Sequence, residues 1–164
     1  MAANPFTALT LIAAPAILTN ASSILIMSTS NRLARATDRA RLLATELEQM
    51  ENLGTSDAEI SLRELRATEE RSLLMVHALR NFYSAVGGFA GSALVSLLGA
   101  ALVTSAPDLA VRGVEWVGIA AGAFAVANLV VGCVWMLRET RIVVDVLRDR
   151  AARLTERAEF RSPG

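Results

Sequence analysis

Three long stretches without Asp, Glu, Lys or Arg constrain the fold of this chain more than any other feature. They cover residues 1–31, Asn81–Pro107 and Trp116–Leu137. If helical, the second and third would be roughly 40 and 33 Å long, at about 1.5 Å per residue. Because the hydrocarbon core of a bilayer is about 30 Å thick, each stretch is long enough to cross it.

A soluble helical domain explains this pattern poorly. The three stretches make up about half of the 164 residues. A soluble domain of this size exposes about 30% of its unfolded-chain surface, and its helices carry a polar stripe. We therefore predict an all-α fold with three transmembrane helices, at about residues 6–30, 81–106 and 115–137. Two spans beside an interfacial first segment are the alternative, because hydroxyl and amide side chains interrupt residues 6–30.

The distribution of arginine predicts the orientation in the membrane. The chain has 16 basic residues, all arginine, with eight from Arg32 to Arg80 and seven from Arg138 to Arg161. Arg112 alone lies between the second and third stretches. Since positively charged loops stay in the cytoplasm, we predict that the N-terminus is outside and the C-terminus is cytoplasmic. The 16 acidic residues make the net charge zero, which argues against a nucleic-acid partner.

The charged segments have the pattern of helices that continue the spans. We predict cytoplasmic helices at about residues 31–53, 57–80 and 138–160, so that residues 1–164 form a single membrane domain with an antiparallel cytoplasmic helical bundle. Heptad spacing of three and four occurs in the first segment at Leu33, Ala36, Ala40, Leu43, Leu47 and Met50. It recurs in the third at Leu137, Thr140, Val144, Leu147, Ala151, Leu154 and Ala158. In the second we predict one face with Ala58, Leu62, Leu65, Ser72, Val76 and Leu79.

One face of the first predicted span is small and polar. It is formed by Ala13, Ala16, Asn20, Ser23, Met27 and Ser30. A polar side chain in the middle of a bilayer is costly, so Asn20 should face protein or water. The face is a candidate pore lining. The competing interpretation is that Asn and Ser hydrogen-bond across packed helices.

The second and third predicted spans carry small residues at helical spacing. The candidate packing residues are Ser84, Gly88, Ser92, Ser96, Gly118 and Gly122. Small residues let two helix backbones approach closely in lipid. We predict that the two spans pack against each other. Use of one stripe between subunits is the alternative.

A basic strip follows the first span at Arg32, Arg35 and Arg39. It is a candidate anion vestibule, or a site for anionic lipid headgroups. The simpler interpretation is a positive anchor whose side chains extend along the membrane surface. No phosphate-binding loop, metal-ligand cluster or nucleophile motif accompanies it. We therefore expect no enzyme activity, no cofactor and no metal.

Three motifs flank the predicted spans. They are Asn31-Arg32-Leu33-Ala34-Arg35-Ala36-Thr37-Asp38-Arg39-Ala40-Arg41-Leu42-Leu43, Arg71-Ser72-Leu73-Leu74 and Glu139-Thr140-Arg141-Ile142. With these motifs, nearly the whole chain resembles the bacterial domain-of-unknown-function 2721 family of small integral membrane proteins. The resemblance implies a multi-pass protein of the bacterial cytoplasmic (inner) membrane and supplies no catalytic residue.

Two functional hypotheses remain at this point. The first is a homo-oligomeric integral membrane protein that forms or supports a narrow ion-conducting pore lined by the first helix. The alternative is a membrane-tethered helical scaffold or regulator that binds a partner through its cytoplasmic heptad faces. The expected partners are the lipid bilayer and further copies of the chain, with ions or anionic lipid as candidate ligands.

Overall fold

The computed structural model of the chain contains three long α-helices. They are α1 (Pro5–Glu48), α2 (Ser56–Leu102) and α3 (Asp108–Arg161). The structure describes the backbone of residues 5–50, 56–102 and 107–161, and the side chains of residues 13–50, 58–102, 107–144, 146 and 148. No strand occurs in these parts of the chain, which confirms the all-α fold class.

Each helix continues without a break from an apolar segment into a charged one. The helices have 44, 47 and 54 residues, so they are about 66, 70 and 81 Å long. α1 begins at Pro5, where the fixed backbone angle of proline favours the first helical position, and it continues through Pro15. α1 ends at Glu48, before the predicted residue 53, and α3 begins at Asp108, seven residues before the start of the predicted third span.

α2 lies between α1 and α3 and runs antiparallel to both. Its buried side chains are spaced by three and four over the apolar half, as in a heptad seam. They are Met75, Ala78, Phe82, Ala85 and Phe89. Leu18 of α1 and Ala125 of α3 pack at the Ala85–Phe89 level. The N-terminal half of α1 therefore lies beside the apolar halves of α2 and α3.

The predicted buried face of α2 is wrong by one residue in this region. Val76 is 49% exposed, whereas its neighbour Met75 is fully buried. The seam continues toward the N-terminus of α2 through Thr68, which is buried although it is polar. Its hydroxyl donates to the Glu64 carbonyl at 2.8 Å, so the polar group is satisfied within its own helix.

Two of the helices, not three, are long and apolar enough to cross a membrane over the described residues. They are Ala58–Leu102 of α2 and Asp108–Val144 of α3, whose most apolar windows have mean hydropathies of 1.8 and 2.2. Only 11% and 17% of these windows are buried within the chain, unlike a soluble core helix. The predicted span at residues 6–30 does not reach this hydropathy over its described part, because Thr19, Asn20 and four serine or threonine residues between positions 22 and 29 interrupt it.

Candidate functional site

A buried carboxylate joins the three helices at one level. Glu139 of α3 has no exposed surface. Arg71 of α2 donates to its Oε1 from Nε at 3.0 Å, and the Nη2 of Arg71 lies 2.9 Å from the same oxygen. Arg32 of α1 pairs with Oε2 through Nη2. Each carboxylate oxygen thus binds a different helix, and we call these three residues the Glu139 cluster.

The cluster compensates a charge that burial alone would make very unfavourable. An ionised carboxylate withdrawn from water is stabilised only when it is paired and hydrogen-bonded. Two guanidiniums supply three short contacts to Glu139. Their own side chains remain 35% and 29% exposed. The carboxylate of the cluster is therefore shielded from solvent, whereas its two guanidiniums are partly exposed.

Sequence reasoning placed Arg32 in the basic strip and did not assign a role to Arg71 or Glu139. A signal was present in the sequence. Glu139 lies two positions after the end of an uncharged stretch, and the positions three and four residues away on its own helix hold no basic residue. A carboxylate at such a place, without the i,i+3 or i,i+4 partner that exposed helical acids often have, points to a partner on another helix.

An arginine-lined groove of about 430 Å³ lies directly beside the cluster, and we call it the arginine groove. The predicted strip Arg32, Arg35 and Arg39 lines it together with Arg71 of α2. Arg39 donates to Glu64 from Nε at 3.1 Å and from Nη2 at 3.0 Å. The strip is thus one wall of a groove between α1 and α2.

The remaining lining of the arginine groove is mostly apolar. Val143 and Val146 of α3 contribute to it, as do Ala36 of α1 and Ala67 of α2. The Nε of Arg35 donates to the Asn31 carbonyl at 3.2 Å. Charged walls and an apolar floor therefore meet at the end of the uncharged stretches.

An aromatic contact lies one turn above the Glu139 cluster. The ring centroids of His77 on α2 and Trp135 on α3 are 5.2 Å apart. The Arg138 guanidinium carbon is 5.1 Å from the Trp135 ring centroid, a distance typical of a cation–π interaction. On the α1 side, the Thr29 hydroxyl donates to the sulfur of Met136 at 3.7 Å.

The predicted polar face of α1 is largely exposed. Ala13, Ala16, Asn20, Ser23 and Met27 are exposed, and Ser30 is half-buried. Ser22 and Thr29, which are outside this set, are the buried hydroxyls among residues 13–48 of α1. The Ser23 hydroxyl donates to the Thr19 carbonyl at 2.9 Å. The Asn20 amide has no hydrogen-bond partner among the described residues.

A second groove, of about 400 Å³, lies between this face and α2. Pro15, Ala16, Thr19, Asn20 and Ser23 line it from α1. Phe89, Ala90 and Ala93 line it from α2. Polar groups of α1 therefore face an apolar wall across open space.

Small residues lie where α2 and α3 approach each other. The Ser92 hydroxyl donates to the Gly118 carbonyl at 3.0 Å. A Cβ added at Gly88 would be 2.8 Å from the Ala125 Cβ, and one added at Gly122 would be 3.4 Å from the Ser92 Oγ. Ser96 donates to the Ser92 carbonyl, and Ser84 is half-buried. A larger residue at Gly88 would require the backbones to separate.

The described residues contain no group of three or more His, Cys, Asp or Glu side chains that could hold a metal ion. The groups with evident chemistry are therefore the guanidiniums of the arginine groove and the unpartnered amide of Asn20. Guanidinium and amide groups can hydrogen-bond to anions and to polar molecules.

The fold and these sites define an all-α protein of three long helices, two of them apolar enough to cross a membrane, clamped by a buried ionic cluster. The chain belongs to the family described as protein of unknown function (DUF2721), whose model matches residues 12–149. This match confirms the family suggested by the flanking motifs. No curated protein matches the chain, and no solved structure does so either.

Proposed function

We propose that the protein is a homo-oligomeric protein of the bacterial inner membrane that forms or supports a narrow ion path along α1. The carrying observation is the Asn20 amide, which is exposed on α1 and lacks a hydrogen-bond partner among the described residues. Asn20 lies 12 positions before Arg32, about 18 Å further into the apolar region. A bare amide at that depth is costly in lipid, so water or a second copy must cover it.

The packing of α1 supports a third membrane segment despite its lower hydropathy. Leu18 contacts the cluster of Ala85, Phe89 and Ala125, which lies within the apolar segments of α2 and α3. If those segments are in the bilayer, this part of α1 is beside them at the same depth. With three crossings and 15 of 16 arginines on one side, the positive-inside tendency favours an outer N-terminus and a cytoplasmic C-terminus.

The pairing of α2 with α3 refines the proposed position of the second span. Gly99 is level with Val114, and Phe82 is level with Gly132. The uncharged stretch of α3 therefore lies opposite roughly residues 75–97 of α2, rather than 81–106. Arg80, which is exposed, then lies about 6 Å inside the apolar layer. Its long side chain can extend to the interface.

An ion path is favoured over a substrate pocket by the composition of the face. Asn20 and Ser23 offer one amide and one hydroxyl, while Ala13, Ala16 and Met27 offer no charge. The groove beside them is open, and most of its lining is apolar. In a ring of subunits, such faces would form a narrow polar line without a deep solute site. Its preference for anions or cations stays open.

Substitution of Asn20 by leucine tests the proposal. Liposomes that contain the purified wild-type protein are expected to release K⁺ or Cl⁻ down a concentration gradient. Asn20→Leu is expected to abolish that flux. The mass of the oligomer in mild detergent should stay the same. Asn128→Leu is the matched control, because the Asn128 amide donates to the Phe124 carbonyl of its own helix. Flux that survives Asn20→Leu would exclude the α1 path.

The scaffold alternative is favoured by one surface of α3. Leu137 and Val144 of the predicted third heptad face are 64% and 39% exposed, and Thr140 is also exposed. The first heptad face is used within the chain, since Ala36, Leu43 and Leu47 are buried. Leu137→Gln with Val144→Gln is expected to disrupt assembly if this surface binds a partner helix, and to leave assembly and flux unchanged if it faces water or lipid.

A further inference from the structure

The arginine groove has more positive charge than the protein itself neutralises. Four guanidiniums line it, from Arg32, Arg35, Arg39 and Arg71. Among the described residues, two carboxylates reach these guanidiniums, those of Glu64 and Glu139. Two positive charges therefore stay uncompensated in a groove of about 430 Å³. Such an arrangement attracts an anion.

The Glu139 cluster fixes where the excess charge points. Glu139 is fully buried and occupies the inner side of Arg32 and Arg71. Arg32 contacts Glu139 through one nitrogen, and Arg71 contacts it through two. A guanidinium has five N–H donors, so both arginines keep donors for the groove, where about a third of each side chain is exposed. Buried pairing thus holds two cations at one end of the groove.

Arg35 is the arginine of the groove with no carboxylate partner among the described residues. Its Nε donates to the Asn31 carbonyl on the same helix, which leaves the two terminal nitrogens for a ligand. Planar guanidiniums bind phosphate oxygens through paired hydrogen bonds. The most available donor of the groove is therefore suited to a phosphate group.

The position of the groove matches the headgroup layer under the proposed bilayer placement. Its first arginine, Arg32, directly follows the uncharged stretch of α1, and Arg35 lies three residues further, about 5 Å. The polar layer of a bilayer extends for about 5–8 Å beyond the hydrocarbon core on each side. Val143 and Val146 supply an apolar floor beside the arginines. The groove can thus contact a phosphate through its guanidiniums and the carbon atoms attached to that phosphate through its valines.

We propose that the arginine groove is a binding site for the phosphodiester headgroup of an anionic phospholipid from the cytoplasmic leaflet. A volume of about 430 Å³ corresponds to roughly a dozen water molecules, more than a bare phosphate needs. The proposal rests on the bilayer placement given above but not on the ion path. Its test therefore reads bound lipid rather than flux.

The experiment measures lipids retained by the full-length protein in mild detergent. The protein is mixed with phosphatidylglycerol or phosphatidylcholine, and bound lipid is counted by native mass spectrometry. Arg35→Gln removes the unpaired cation without touching Glu139. Arg141→Gln is the matched control, because Arg141 is exposed, close to the same depth, and not part of the groove lining. Circular dichroism checks that both variants keep their helices.

The expected result is retention of phosphatidylglycerol over phosphatidylcholine by the wild type and by Arg141→Gln. Arg35→Gln should weaken that retention about fivefold, the effect of one basic residue near an anionic surface. Equal losses in both variants would overturn the proposal, because they would indicate diffuse attraction. Displacement of the lipid by millimolar inorganic phosphate would also overturn it, in favour of a free phosphate site.

The two proposals can fail separately. Selective lipid retention without any ion flux would keep the headgroup site and exclude the pore. Flux that depends on Asn20, without lipid selectivity at Arg35, would do the reverse.

Discussion

Two nitrogens of Arg71 on α2 contact the same carboxylate oxygen of Glu139 on α3, Nε at 3.0 Å and Nη2 at 2.9 Å. Because Glu139 is fully buried, this contact cannot be exchanged for water without moving a helix. Arg32 occupies the other oxygen from α1. The Glu139 cluster thus fixes the axial register of the three helices relative to one another.

Glu139→Gln should destabilise the protein by about 2 kcal/mol. Removing one partner of a buried ion pair typically costs about 3–5 kcal/mol. Here the loss is smaller, because the two released guanidiniums are already about one-third exposed to solvent and glutamine keeps one oxygen acceptor. Thermal unfolding in detergent, followed by circular dichroism, measures the effect. The exposed Glu69→Gln is the control, and equal stabilities of the two variants would contradict a structural role for the cluster.

Arg71→Gln and Glu139→Gln should not be additive. Residues in one ionic network show interaction free energies of about 0.5–3 kcal/mol in a double-mutant cycle. Once the carboxylate is gone, Arg71 has no buried charge to compensate, so the second substitution should cost less than it does in the wild type. The same thermal unfolding of both single variants and the double variant gives the coupling. Strict additivity would mean that the contact contributes nothing.

The sequence predicts the helices well because their determinants are local. Uncharged stretches, heptad spacing and Pro5 are all readable along the chain, and three helices result. The Glu139 cluster is different, since Arg32, Arg71 and Glu139 are 39 and 68 positions apart along the chain. Which arginine meets the carboxylate depends on the register between helices. No local pattern encodes that register.

The buried face of α2 shows the same limit on a smaller scale. Met75 and Val76 are adjacent and both apolar. Because a helix turns by about 100° per residue, they lie on different faces of α2. The choice between them depends on where α1 and α3 lie. Thr68 completes the correct seam, but a threonine is not recognised as a core residue until its hydroxyl is seen bonded to the Glu64 carbonyl.

Gly132→Ala should destabilise the contact between α2 and α3. A Cβ at this position would lie 2.5 Å from Cε1 and 2.7 Å from Cδ1 of Phe82. The Phe82 ring is fully buried, so it cannot move away freely, and overpacking of this kind costs about 1–3 kcal/mol. Thermal unfolding measures the loss, and Phe82→Leu in the same chain should recover part of it.

Gly91→Ala is the matched control for that substitution. Nothing lies within 4 Å of a Cβ added at Gly91, and alanine is about 1 kcal/mol better than glycine within a helix. This variant should be as stable as the wild type or more so. Similar destabilisation at both positions would show that the Phe82 contact is not the cause.

Ser92→Ala should have a small effect, and Ser92→Leu a large one. The hydroxyl of Ser92 makes an interhelical hydrogen bond to the Gly118 carbonyl at 3.0 Å, and such bonds contribute about 0.6 kcal/mol on average in membrane proteins. Leucine would instead collide with Gly122, whose added Cβ would already touch the serine oxygen at 3.4 Å. Unfolding by denaturant in detergent compares the two variants. A larger loss in Ser92→Ala would assign the interface to hydrogen bonding rather than close approach.

The two tryptophans should report opposite edges of the apolar layer. Trp116 and Trp135 are 19 positions apart on α3, which is about 28 Å along a helix and close to the thickness of the hydrocarbon core. Trp116→Phe leaves Trp135 as the single tryptophan, and Trp135→Phe leaves Trp116. In liposomes, both should be quenched more by lipids brominated near the headgroup than by lipids brominated near the chain end. Stronger quenching of either one by the deep bromines would shift α3 along the bilayer normal. It would thereby remove the Glu139 cluster and the arginine groove from the headgroup layer.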